Sequence, residues 1–167
     1  MNFVINQLQQ NKSVFYNLLK DINEDMFLWK QTPEKWCLLE IVCHLYDEER
    51  EDFRFRTKWV LEKPKQTPPQ FNPVIWVTER NYIEQDYNQV LKNFINEREQ
   101  SIKWLQSLKS PKWDNYYEHP KKGKLTAKFF LTNWLAHDYL HIRQITKLKF
   151  DYLKHQSGEN IDYAGSW

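Results

Sequence analysis

The sequence predicts an all-α fold, a four-helix bundle with a long crossover between helices 2 and 3. Three observations lead there. The 167 residues include only three glycines, too few for an architecture of sheets and tight turns, which draws on glycine for left-handed positions. Apolar residues recur at helical spacing in four long stretches. Between the second and third stretches, "PKQTPPQFNP" places four prolines in ten residues, which no continuous helix tolerates.

The first helix is predicted over roughly residues 2 to 20, with Val4, Leu8, Asn11, Phe15, Leu18 and Leu19 facing inward. The connection that follows contains "WKQTPEKW", broken by Pro33. The second helix opens at "CLLE", where Cys37 stands at the N-cap and Glu40 three residues on. That is a capping box with a thiol in place of the hydroxyl. This helix is predicted to run to about Glu62, with Leu38, Ile41, Leu45 and Trp59 inward. The crossover, residues 63 to 80, is expected to carry no long helix. The third helix runs roughly from Ile83 to Leu108, and "SPKWDNYYEHPKKGK" is read as a loop. Thr126 caps a fourth helix lasting to about Lys154. Residues 1–167 are read as one domain, long enough to bury a core without disulfides or metal staples.

Composition excludes several classes. The chain has 8 Trp, 9 Tyr and 10 Phe, so it is globular rather than disordered. A formal charge of +2 gives no argument for nucleic acid or an anionic membrane. Cys37 and Cys43, six apart, match neither a disulfide framework nor a zinc knuckle, which points to a reducing compartment. No secretory leader and no membrane span are read, and the expected location is the cytoplasm.

The polar residues on inward faces carry the functional signal. In "WLAHDYLHIRQI", His137 and His141 are four apart and share one face of the fourth helix. Taking His137 as zero, His141 falls at about 40°, Trp134 at about 60° and Gln144 at about 340°. On the second helix His44 lies at the edge of the apolar arc, and Glu48 stands one turn further on. Three imidazoles from two helices can therefore converge inside the bundle. Burying them without partners would be costly, and a metal ion would offset that cost. Three histidines plus an open position is the ligand set of a catalytic site. Three separate core histidines, each hydrogen-bonded on its own, is the alternative. Glu48, in the charged run "DEERED", is a candidate to hydrogen-bond and orient a ligating histidine, to act as general base or to be a fourth ligand, or else is a solvated carboxylate. Gln144 is a candidate to orient a ligand, and Trp134, Phe55 and Trp59 to line a pocket. Arg98 falls inside the stripe of the third helix, where it needs a carboxylate such as Asp52 or Glu48, or an anionic substrate group.

At these residues the chain resembles the DinB-like superfamily. "WCLLEIVCHLYDEE", followed some ninety residues later by "AHDYLHIRQI", carries the likeness, and "FNPVIWVTERNY", "FINEREQSIKWLQSL" and "DYAGSW" extend it. The resemblance implies a bacterial four-helix bundle whose metal ligands match His44, His137 and His141. It implies a divalent ion, zinc or nickel, and a homodimer. It also implies a thiol S-transferase acting with a low-molecular-weight thiol of the bacillithiol or mycothiol type, or a related hydrolase. A serine or threonine is common in the family where this chain has Cys37.

Two functions follow as expectations. One is a metal-dependent enzyme acting on a small molecule, its ion lowering the pKa of water or thiol at neutral pH. The other is a non-catalytic bundle with a structural metal or none. Activity of such an enzyme is expected to fall below about pH 6, as ordinary histidines protonate.

Overall fold

The computed structural model describes residues 1–70 and 72–165. Phe71, which opens "FNPVIWVTERNY", and Ser166 and Trp167, which end "DYAGSW", lie outside the described residues. Helix α1 spans Asn2–Leu19 and buries Ile5, Leu8, Asn11, Phe15 and Leu19, so Ile5 takes the inward place expected of Val4. One turn of helix, α2 (Glu24–Phe27), follows. The second long helix is built of α3 (Leu38–Asp47), a π-helical segment Glu48–Phe53 and α4 (Arg54–Glu62). Short turns Pro73–Ile75 and α5 (Trp76–Glu79) punctuate the crossover, and α6 (Tyr87–Ser107) and α7 (Ala127–Ser157) complete the bundle.

The helix ends follow local chemistry. The Cys37 N–H donates to the Glu40 carboxylate at 2.9 Å, completing the expected capping box. Asp86 accepts from the Gln89 N–H at 2.7 Å, which sets the start of α6 at Tyr87 rather than at Ile83. Thr126 accepts from the Phe129 N–H at 2.9 Å. Gly158 closes α7 at φ +66°, a left-handed position that a residue without Cβ adopts freely.

Helix α1 packs against α6 and α7; the second long helix packs against the same two, through α3 on α6 and α4 on α7. The first and second long helices therefore occupy one diagonal of the bundle, and the third and fourth the other. The segments 20–37 and 108–126 have to cross those diagonals. The second of them is not the plain loop expected. It holds an antiparallel hairpin, β1 (Tyr116–His119) paired with β2 (Gly123–Thr126), which buries Tyr117 and Leu125 against α4 and α7. His119 organises its turn, Nδ1 accepting from the Lys121 and Lys122 N–H groups at 3.1 Å.

The π-helical segment corrects the second helix. One extra residue in the turn shifts everything beyond it by one position. Up to its first turn the buried series runs through Leu38, Ile41, Leu45 and Glu49; beyond it come Thr57 and Val60. Trp59, expected inward, lies at the surface and donates Nε1–H to the Gln66 carbonyl at 3.0 Å. Of the two readings of Glu48 the solvated one does not hold, because Glu48 is buried together with Asp47 and Glu49.

Arg98 sits at the centre of the bundle, 1% exposed. Its Nε donates to both Glu49 oxygens at 2.9 Å, and its two terminal nitrogens meet the two Asp138 oxygens at 2.7 Å each. Asn11 donates to Asp138 at 3.0 Å, and the Trp134 indole donates to Glu49 at 2.9 Å. The network thus takes side chains from all four long helices. The expected partners Asp52 and Glu48 are not the ones used. Burial opposes the guanidinium charge, and Asp138 and Glu49 overcome it, holding its pKa above the ordinary value. Removing one partner from such a pair leaves the rest buried and uncompensated, at about 3–5 kcal/mol. Arg98→Met is therefore expected to lower the unfolding free energy by about that much in urea titration, with both carboxylates stranded. A loss below about 1 kcal/mol would show the network to be dispensable.

Candidate metal centre

The three histidines converge. His44 on α3 and His137 and His141 on α7 each offer one ring nitrogen, and these atoms all lie within 4.8 Å of one another. His137 Nε2 is 3.3 Å from His44 Nε2 and 3.0 Å from His141 Nε2. Ligands about 2.0–2.1 Å from a shared zinc-like ion would stand roughly 3–3.4 Å apart, so the first two spacings already suit one ion.

The donor chemistry makes the same point. Nε2 of His137 faces two other Nε2 atoms, and protons alone satisfy the group poorly. If His44 and His141 carry their protons on Nε2, their buried Nδ1 atoms are bare acceptors; if on Nδ1, those are donors. Either way Nδ1 of both rings is buried without a protein partner. A cation between the three Nε2 lone pairs removes the conflict at the centre. The residues present fit a divalent ion.

Electrostatics keeps the ligands ready. Burial holds His44 at a pKa of about 3, with His141 pushing the same way and Asp47 opposing. His137 is held at about 2 by burial and then by His141, His44 and Arg98. Burial also takes His141 down, to about 4, against Gln144 and Asp138, which favour its charged form. Neutral imidazole is the ligating form, so the acid limit of the site moves well below the pH 6 expected of ordinary rings.

The surroundings assign the other candidates. Trp36 packs on His44 with ring centres 4.9 Å apart, and Phe53 on His137 at 4.8 Å. The π-helical shift brings Phe53 to this place, and Phe55 packs instead at a tilt against Trp59, 5.5 Å away. Glu48 is buried beside Asp52 and is not part of the three-residue cluster. Burial, then Asp52, raises its carboxyl to about 8, against Arg56. Gln144 is exposed and borders the same cavity as His141. Trp134 and Arg98, expected to meet substrate, are instead consumed by the buried network, 1% exposed each. Sequence reasoning missed Glu49 and Asp138. The signal for Asp138 was present, because it falls at about 100° on the α7 wheel, between Trp134 at about 60° and Leu131 at about 120°.

Two cavities border the histidines. One of about 450 Å³ opens beside His141, and one of about 400 Å³ beside His137, with Leu140 bordering both. Among the described residues no helix is long and apolar enough to cross a membrane.

The sequence profile of the DinB superfamily matches residues 7–145. The chain belongs to the DinB superfamily. Among solved structures it is similar to YfiT from Bacillus subtilis, described as a probable metal-dependent hydrolase with an unusual four-helix bundle topology. The two share 17% identity with a TM-score of 0.77, over 95% of this chain and 88% of YfiT. At that identity the likeness establishes the four-helix bundle. No curated protein matches the chain.

The depressed histidine pKa values set a pH dependence for the metal-free protein. In the unfolded chain the rings protonate near pH 6.5, while in the fold they stay neutral to about pH 4 or below. The unfolded state therefore binds more protons between those limits, and stability falls as pH drops through 6.5, by up to about 1.4 kcal/mol per unit for each ring. Glu48 runs the other way, its raised pKa favouring the fold at low pH, and offsets one ring of the three. Urea titrations of chelator-treated protein are expected to show declining stability from pH 6.5 to 4.5. A flat or rising profile would mean that the rings are not held neutral.

Proposed function

We propose that this protein is a divalent-metal-dependent enzyme that activates a small nucleophile, water or a low-molecular-weight thiol, at His44, His137 and His141. The observation that carries this reading is a set of three histidines, with no fourth protein ligand in the cluster among the described residues, bordering two cavities. A structural site is closed by a fourth protein ligand; a catalytic one keeps a position for water or substrate. Zinc or nickel suits three imidazoles. When bound, the ion supplies Lewis acidity and a nucleophile at neutral pH.

The chain's own residues do the rest. Burial keeps the three rings unprotonated, and Trp36 and Phe53 fix the His44 and His137 ring planes. Glu48, one turn beyond His44, holds a proton on its carboxyl at neutral pH and is the proposed acid–base group. Gln144, beside His141 at the cavity wall, is the proposed orienting amide. The description of YfiT supports hydrolysis. Thiol S-transfer is supported by a separate feature, two cavities that each border one of the histidines, because transfer needs a berth for the thiol and another for the electrophile.

Protein purified without nickel resin is expected to contain about one divalent ion per chain, and His141→Ala close to none, since two protein donors remain. The variant's unfolding free energy should stay near that of metal-free wild type, because the bundle does not depend on the ion. Glu48→Gln should keep its metal and lose activity by about 10²–10⁴-fold. Assays would pair small thiols with electrophiles and offer activated esters and amides. No turnover with zinc-, nickel-, manganese- or iron-loaded wild type would move the reading to a non-catalytic metal- or ligand-binding bundle.

A further inference from the structure

The cavity beside His141 has two unlike walls. One is a single face of α7, since Leu140, Gln144, Lys147, Leu148 and Asp151 follow helical spacing. The other comes from the connection before α3, with Trp29, Lys35 and Trp36. Both indoles are anchored: Trp29 packs edge-on against Tyr152 at 5.6 Å and near His155 at 5.5 Å, and Trp36 packs on His44. They offer fixed flat apolar surfaces.

The charges around this space do not balance. Lys35, Arg143 and Lys147 border it, with Asp151 as the bordering carboxylate. Lys147 is paired with Asp151. Arg143 pairs with no carboxylate among the described residues, and Lys35 has only its exposed neighbour Glu34. The cavity beside His137 is different, for its described lining includes no indole and its guanidinium, Arg56, is already paired with Asp52, which leaves Lys122 as its other cation. A volume of about 450 Å³ is in the range of small-molecule sites. Paired aromatic walls with an uncommitted guanidinium at the rim suit a flat apolar body bearing one anionic group.

We propose that the His141-side cavity binds an organic anion with a flat apolar body, seated against Trp29 and Trp36 and held at its anionic end by Arg143 and Lys35. As the substrate class of the metal-dependent reaction this rests on the function proposed above, whereas the binding itself needs no metal. The ligand's position beside His141 places it at the edge of the centre, its anionic group turned to the rim.

Calorimetric titration with naphthalene-2-carboxylate and the neutral naphthalene-2-carboxamide tests this on chelator-treated and zinc-loaded protein. In both forms the acid is expected to bind about tenfold tighter than the amide. The double variant Arg143→Gln, Lys35→Gln should narrow that ratio to about threefold or less and leave the amide affinity in place, as both residues are exposed. Trp29→Leu should weaken both ligands alike. Absence of binding, equal affinities in wild type, or an unchanged ratio in the double variant would each overturn the proposal. So would a preference seen only with zinc, since the carboxylate would then sit on the ion. Failure of the protein to take up zinc would count against the proposed function and leave the metal-free titration to decide this one.

Discussion

The buried guanidinium of Arg98 is the constraint around which this bundle is arranged. It lies between two apolar layers, with Phe15 and Phe94 on one side and Trp134 on the other, each ring about 6 Å from its central carbon. A charge in that position is tolerable only with near-complete satisfaction. Glu49 and Asp138 supply it bidentately from two helices, and Asn11 and Trp134 bond to those carboxylates in turn. The geometry specifies register as well as charge, because a turn of slippage in any of the four helices would strand an ionised group.

The metal centre depends on that arrangement. Asp138 is the residue after His137, and Glu49 is one turn from His44, so the clamp on Arg98 also fixes where α7 and α3 bring their histidines. The π-helical segment belongs to the same solution. It carries Glu49, bonded to Arg98, and ends on Phe53, packed against His137. Such segments are rare and occur often at functional sites.

Much of this was legible in the sequence. The four helices follow from apolar periodicity, the caps from Cys37–Glu40 and Thr126, and the three converging histidines from their placement on inward arcs. What was not legible has a common physical cause. A helical wheel assumes a constant angle per residue, and the π-helical segment breaks that assumption, so the inward place the wheel assigns to Trp59 falls to Val60. Charge was the second blind spot. Asp47, Glu49 and Asp138 are acidic by type, yet all are buried, since their partners arrive from Arg98, Arg80 and Tyr82, distant in sequence.

The diagonal arrangement of the helices bears on how the chain acquires its structure. The apolar face of α1 docks chiefly on α6 and α7, which begin at residues 87 and 127. As the polypeptide leaves the ribosome, Ile5 and Leu8 wait for Ile102 and Leu105 of α6 and Leu131, Trp134 and Leu135 of α7, the buried residues with which they cluster. No hairpin of the first two long helices can form as an early unit, and the closing contacts span more than half the sequence. Slow assembly follows from such long-range closure. The N-terminal helix is accordingly the segment most in need of shelter while the protein is being made.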